Sequence, residues 1–536
     1  MDAVPPCKMQ KTQKRPRPSG PELTAARVAH VARESRDPKE RLKYLEHERL
    51  AEFVPALVNY ATRHQRASEQ RRNVLTILSN FSTASPRVVE VLGWYPNSLI
   101  KESLGLEFQR DDMYKFYEES GTLHALHLIT TMTTCARYKL LKSMESSKWA
   151  SLLVNLSKAL LSDAPAPLRS PFALSLGHAA IYALSCFATL PPNPDCAAQV
   201  DPKDPTLRHL RQIAVIEMLN AGVPAQVNAL VENAFREILC NGVIAGASSK
   251  TVAGEWEAPL TLRGMYALAG STNAERAVIR AIEVECQQTP SLSSNLIALL
   301  EHSFHRATKS TAMHCLTLIH EEMPSKDIRK GILGSKLPRL LVREVGIGDS
   351  GESFNSIISY SHAAFVCFYY LFYIHGVEAI RVLKDLGGVG VVLTRFRRTL
   401  DAVGAQIAQE PVQESGATST PWSAQTQHEL LHLIFYILCF LRNAALVSTK
   451  SCDEMLQADI LGMLWSIEDI FARSHLRNEL KKVADETIES FRTVGGSLYL
   501  TKLMERKAAK NDRVLQERDD RSQNLANIRR QLAGAP

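Results

Sequence analysis

The chain has 536 residues, of which 45% are hydrophobic and 22% are charged, so most of it is expected to fold. Of the net charge of +7, +4 lies in the first twenty residues, and the remaining +3 is too little to indicate a nucleic-acid-binding surface. Glycine and proline are not enriched, which excludes a largely low-complexity protein.

The basic N-terminal segment, residues 1–22, is polar and contains prolines, so it is predicted to be disordered. Lys14, Arg15 and Arg17 fit the K-[KR]-x-[KR] spacing of a short nuclear-import signal. A basic tail that only aids solubility is the alternative. No apolar stretch follows, so the segment is not a secretory signal.

Cysteine usage and apolar run lengths both favour a soluble protein of the cytoplasm or nucleus. The ten cysteines stand singly and no C-x-x-C occurs, which argues against a zinc ribbon or a redox pair. The two most apolar runs, 363–374 and 430–441, have twelve residues each. A membrane span needs about 20, so these runs predict buried core helices and no span.

From residue 23 onward, apolar residues recur at helical spacing and clean alternation is scarce, which predicts an all-α fold. Apolar helices buried on most sides are expected at 71–82, 178–189, 312–323, 362–374 and 433–444. More amphipathic helices precede several of them, at 50–60, 122–130, 219–230 and 292–300. This recurrence favours stacked repeats over an irregular helical domain.

The predicted organisation is one helical repeat domain over 23–503, followed by a charged helix or tail over 504–536. Two stretches rich in small and polar residues, 242–260 and 404–424, are predicted to be loops inside the domain. The apolar positions of the C-terminal segment keep no steady heptad, so a solvated helix is favoured over a coiled coil.

Three stretches carry a resemblance to armadillo and HEAT repeat proteins. Residues 221–231, AGVPAQVNALV, are similar to the first part of an armadillo repeat, and 75–82, LTILSNFS, to its last helix. Residues 439–445, CFLRNAA, are a weaker version of that last helix. The apolar helices recur at about 50 residues, longer than the roughly 40–47 typical of these families.

The resemblance implies a right-handed α-solenoid that binds partner proteins or peptides along a concave wall. It also implies that Asn80 and Asn443, which match the asparagine of the last-helix motif, would bond a partner's backbone. An importin-α is excluded, because none of the five tryptophans is followed four residues later by asparagine.

One motif points to zinc chemistry instead. His428 and His432 of the sequence HELLH fall on one helix face and could bind zinc, with Glu429 polarising a bound water. This is similar to the zincin metallopeptidase signature, and Glu454 or Asp453 would supply a third ligand. A helix start with half-exposed histidines is the alternative, because an apolar repeat helix follows directly and no strands precede the motif.

The sequence therefore favours a non-catalytic interaction scaffold or adaptor that needs no cofactor and binds protein or peptide partners. A zinc-dependent hydrolase is one alternative. A regulator of a GTPase or a chaperone is another, because other armadillo solenoids act in that way.

Overall fold

The computed structural model describes residues 23–47, 50–65, 68–92, 99–100, 103, 121–135, 149–157, 179–186, 205–245, 255–269, 272–346, 353–408, 424–471 and 477–533. These residues form helices, turns and short connections and contain no β-strand, which confirms the all-α prediction.

The helices of the first half are α1 (Ala25–Glu34), α2 (Pro38–His47), α3 (Leu50–Thr62), α4 (Glu69–Ala84), α5 (Pro86–Leu92), α6 (Thr122–Cys135), α7 (Trp149–Ser157), α8 (Pro205–Asn220), α9 (Val223–Ala245), α10 (Glu257–Ala269) and α11 (Thr272–Gln287). Those of the second half are α12 (Leu292–His302), α13 (Arg306–Glu322), α14 (Lys326–Leu333), α15 (Leu337–Gly346), α16 (Phe354–His375), α17 (Val377–Asp385), α18 (Gly388–Ala408), α19 (Ala424–Val447), α20 (Thr449–Gln457), α21 (Ile460–Ile470) and α22 (Arg477–Ala533), which is kinked at Gly496. Residues 179–186 are also helical.

The bounds predicted for the two loops, 242–260 and 404–424, were wrong at both ends. Helix α9 continues to Ala245 and α10 begins at Glu257, so 242–245 and 257–260 are helical. Helix α18 continues to Ala408 and α19 begins at Ala424. Small residues do not stop a helix by themselves, because a glycine costs only about 1 kcal/mol relative to alanine while apolar neighbours keep the helical face packed.

Packing divides the chain into two compact units, residues 1–226 with 264–278 and residues 227–263 with 279–536. The stretch predicted as one repeat domain, 23–503, is shared between them. In the first unit α4 packs against its neighbours α1, α2, α3, α5 and α6. Its apolar side chains Val74, Ile77 and Phe81 are fully buried, and this burial holds the unit's N-terminal part together.

The second unit contains a three-helix repeat. Two short or medium helices precede a longer third one in each of the triplets α14–α15–α16, α17–α18–α19 and α20–α21–α22. Third helices pack side by side in the order α13, α16, α19 and α22, and second helices follow the order α15, α18 and α21. Three helices in each repeat fit the armadillo type, which agrees with the resemblance seen in the sequence.

Helix boundaries in this repeat follow from local chemistry. The hydroxyls of Ser325, Ser353 and Ser448 accept hydrogen bonds from backbone N–H groups in the first turns of α14, α16 and α20. Between α16 and α17, Gly376 has a φ of 57°, a conformation that a residue with a Cβ rarely adopts. Each short first helix is therefore set off sharply from the long helix before it.

Two helices of the described residues, 354–375 and 426–447, are long and apolar enough to cross a membrane by length and composition. A third candidate would arise if the bent pair 212–220 and 223–239 counted as one span. The helices 354–375 and 426–447 are longer than the twelve-residue apolar runs 363–374 and 430–441 because turns with some polar residues extend them. They lie in α16 and α19, and 61% and 56% of the respective windows are buried inside the protein.

Candidate partner-binding face

The side of the third helices that is not packed into the second unit carries aromatic rings and imidazoles. We call this surface the aromatic–histidine face. Its members are half-buried or exposed side chains on three adjacent helices: His314 of α13, His362, Tyr369, Tyr370 and Tyr373 of α16, and His428, His432 and Tyr436 of α19.

The histidines of the face connect the three helices. The ring of His362 lies 6.4 Å from that of His314 and 6.1 Å from that of His432, measured between centroids. On α19, the rings of His428 and His432 are 4.2 Å apart. A hydrogen bond of 3.3 Å joins His432 Nδ1 to the hydroxyl of Tyr436. The imidazoles therefore form a continuous row across the repeat.

The tyrosines lie toward the C-terminal ends of the same helices. Tyr369 stacks on Tyr373 with a centroid distance of 5.5 Å and an interplanar angle of 16°. The ring of Tyr369 also lies 4.7 Å from that of Tyr436 on the next repeat. Tyr373 is 67% exposed, so one ring of this stack is open to a partner. An exposed, well-supported ring is typical of an interface anchor.

Carboxylates border the face on both sides. The hydroxyl of Tyr370 donates a 2.8 Å hydrogen bond to the exposed Glu321 of α13. On the other side, Glu486 of α22 pairs with Arg442 of α19 at 3.5 Å. Glu479 of α22 acts electrostatically on His432. Three carboxylates thus border the face, and one guanidinium neutralises one of them.

Burial favours the uncharged form of three imidazoles of the face. Desolvation, reinforced by Arg263 and His362, places the pKa of His314 well below its ordinary value. Desolvation and the neighbouring histidines lower the pKa of His362 to about 4. The pKa of His432 is also lowered, by burial and then by His428, although Glu479 opposes the shift. These three side chains are neutral at pH 7.

The third helices that carry the face are held by a buried ion cluster. The carboxylate of Glu344 on α15 is fully buried and accepts hydrogen bonds from Lys309 at 2.9 Å, Arg343 at 2.7 Å and Tyr360 at 2.6 Å. Burial alone would raise the pKa of Glu344, but these three donors lower it below its usual value. Because Lys309 lies on α13 and Tyr360 on α16, one carboxylate fixes two adjacent third helices.

The HELLH histidines lie on the face, but the residues predicted to complete a zinc site do not join them. Among the described residues, no group of three His, Cys, Asp or Glu side chains is placed to hold a metal ion. Glu454 is exposed on α20, and Glu429 is half-buried on α19. What the structure brings beside His428 and His432 is a third histidine, His362, and a tyrosine.

The two asparagines expected to bond a partner both have partners inside the protein. The side-chain amide of Asn80 donates to the hydroxyl of Ser35 at 3.0 Å. That of Asn443 donates to the carbonyl of Cys439 on its own helix at 2.7 Å. Both residues are half-buried, and a partner-binding role for either stays a prediction.

The basic residues Lys14, Arg15 and Arg17 lie outside the described residues, so the import-signal prediction is not tested by the structure. The tyrosines of the face were missed at the sequence level. Their signal was present, because 362, 366, 369 and 373 follow helical spacing and place two tyrosines and a histidine on one side of an otherwise apolar helix.

No family model matches the sequence, and no curated protein is similar enough to count as a match. Among solved structures, the crystal structure of SYS-1 is 11% identical, with a TM-score of 0.35 over 83% of this chain and 76% of SYS-1. A circular tandem repeat protein is 10% identical, with a TM-score of 0.31 over 90% of this chain and 98% of its own length.

The Kap95:Nup1 complex is similar at 10% identity, with a TM-score of 0.18 over 92% of this chain and 80% of the chain it matches. These values are too low to carry an argument about the function of this protein. The armadillo-type assignment therefore rests on the order and packing of its own helices.

Proposed function

We propose that this protein is a non-catalytic scaffold or adaptor that binds partner proteins along the aromatic–histidine face. The observation that carries the proposal is the row of half-buried and exposed rings on α13, α16 and α19, which crosses from one repeat to the next. Aromatic side chains bury much area at a low cost in conformational entropy, so a partner gains affinity from them. Repeat proteins commonly bind on such continuous surfaces.

A crosslinking experiment tests which surface binds. A photoreactive phenylalanine analogue replaces Tyr373 in the full-length chain, and a second version carries it at Asp401, an exposed position on α18. We expect the first to crosslink a discrete set of proteins in cells and the second not to do so. The same crosslinked proteins from both positions would show that the face has no special role.

Reconstitution with a purified crosslinked partner then tests affinity and chemistry. Combined replacement of Tyr373 and Tyr436 by alanine is expected to weaken binding at least about tenfold, because central aromatic anchors contribute most of an interface's energy. Asp401→Ala should leave the affinity unchanged. Robust turnover of any substrate by the purified chain would contradict the non-catalytic proposal.

We further propose that α16 and α19 are internal helices of a soluble protein of the cytoplasm or nucleus, with Lys14, Arg15 and Arg17 as an import signal. Support comes from the polar side chains on both helices, such as His362 and Arg442, and from their burial against α13 and α22. A fluorescent fusion of the full chain should remain extractable without detergent. Replacing the three basic residues by alanine should lower its nuclear fraction.

A further inference from the structure

The C-terminal end of the aromatic–histidine face combines an aromatic surface with unneutralised negative charge. Tyr373 presents a ring that is 67% exposed and supported from behind by Tyr369. Glu321 is exposed beside it, held in place by the hydroxyl of Tyr370 at 2.8 Å. The charge of Glu321 also acts on Tyr436, so the carboxylate faces the tyrosine cluster of both repeats.

Two guanidinium groups act near this end of the face, that of Arg442 on Tyr369 and that of Arg329 on His375. Arg442 is paired with Glu486 at 3.5 Å. Arg263 acts on His314 and His362, at the other end of the face. Eleven residues of helix separate His362 from Tyr373, which corresponds to about 16 Å. His362 and His432 are neutral at pH 7, and among the described residues Glu321 has its hydrogen bond from Tyr370 but no ion pair.

We infer that this end of the face takes an arginine side chain of a partner protein, an inference that rests on the proposed function. A guanidinium can lie flat over the ring of Tyr373 while its N–H groups donate to the carboxylate of Glu321. A planar guanidinium stacks on aromatic rings more readily than a lysine ammonium, which is a compact and strongly hydrated charge.

Other occupants fit the same surface poorly. An acidic segment would meet Glu321 and the carboxylates of α22 with like charge. A purely apolar segment would desolvate Glu321 without supplying a donor, which is costly for a charged group. A segment with arginine at its centre supplies both the apolar contact with Tyr373 and a positively charged donor for Glu321.

Fluorescence anisotropy on the full-length protein tests the inference. The probe is a labelled peptide with three arginines spaced by Gly-Ser, compared with versions in which lysine or citrulline replaces arginine. Citrulline keeps the shape but lacks the charge. We expect the citrulline peptide to bind at least about tenfold more weakly, and the lysine peptide to fall between the two.

Variants assign the binding to the face. Tyr373→Ala and Glu321→Gln should each weaken arginine-peptide binding about fivefold to tenfold, whereas Tyr373→Phe, which keeps the ring, should not. Asp401→Asn removes one exposed carboxylate elsewhere and should have no effect. Circular dichroism checks that each variant folds.

Three results would overturn the assignment of an arginine: equal binding of the citrulline peptide, equal binding of the lysine peptide, or an equal loss in Asp401→Asn. A fourth concerns the protein's own basic segment. In this variant, serine replaces five basic residues of the N-terminal segment: Lys8, Lys11, Lys14, Arg15 and Arg17. If the affinity of the full-length chain for the arginine peptide then rises about tenfold, that segment, not a partner, occupies the face. If a partner still crosslinks at Tyr373 when its arginines are replaced, this inference is refuted and the proposed function stays intact.

Discussion

The burial of His320 lowers the stability of the folded protein. It is fully buried at the end of α13, and neither ring nitrogen has a hydrogen-bond partner among the described residues. Its ring meets that of His375 edge-on at 5.7 Å. Desolvation, followed by the effects of His375 and Arg329, lowers the pKa of His320 to about 3.

Replacing His320 by leucine is expected to stabilise the protein, and more so in acid. The folded-state pKa lies below the ordinary value of 6.5, so between pH 6.5 and about 3 the unfolded chain binds a proton that the folded chain does not. The wild type therefore loses stability as the pH falls through this window, and the leucine variant lacks that loss. Urea unfolding should show a gain of about 1–3 kcal/mol at pH 7 and a larger one at pH 5. A gain that is the same at both pH values would contradict the pKa argument.

Glycines at the start of α18 give a second prediction on single residues. A Cβ on Gly388 would lie 2.6 Å from the backbone oxygen of Leu383, whereas a Cβ on Gly390 would meet open space. Gly388→Ala should therefore lower the free energy of unfolding by about 2 kcal/mol or more, because backbone must shift. Gly390→Ala should raise it by up to about 1 kcal/mol through helix propensity. Thermal melts of the two variants measure this difference, and equal effects would count against it.

At the scale of helices, the Glu344 cluster predicts how the third helices are coupled. Glu344→Ala removes a buried carboxylate from Lys309, Arg343 and Tyr360, so three donors lose their acceptor. The expected loss is about 3–5 kcal/mol, as is typical when one member of a buried ionic group is removed.

The matched control is Glu378→Ala at the exposed first turn of α17, where the change should stay within about 0.5 kcal/mol. Because the folded-state pKa of Glu344 is depressed, its contribution is present above the unfolded-state pKa and is lost as the pH falls through the folded value. Similar losses in both variants at pH 7 would show that the cluster does not couple α13 and α16.

The helices themselves could be predicted from the sequence because their signals are local. Glycines are a local turn signal, and Gly387 lies between α17, which ends at Asp385, and α18, which begins at Gly388. The spacing of His428 and His432 likewise predicted two rings on one helix face, which lie 4.2 Å apart. Each of these depends on residues within a few positions of one another.

The face could not be predicted in the same way, because its members come from different repeats. His362 and His432 are 70 residues apart in the sequence, yet their rings are 6.1 Å apart. The register that brings them together is set by apolar contacts such as Phe368 against Phe440, at 4.7 Å. The same tertiary register leaves Glu454 exposed on α20, and no spacing rule within one helix could have shown that.

At the scale of the whole molecule, the choice between scaffold and zinc hydrolase can be measured directly. Zinc sites in proteins use three or four protein ligands, and the described residues hold no group of three that could serve. The non-catalytic proposal predicts that the purified full-length chain contains well below one zinc per molecule by mass spectrometry. Replacing His428 and His432 by alanine should not change that content, and a chelator should not shift the melting temperature of either protein. One zinc per chain in the wild type, lost in the double variant, would overturn the non-catalytic proposal and make a peptidase assay the next step.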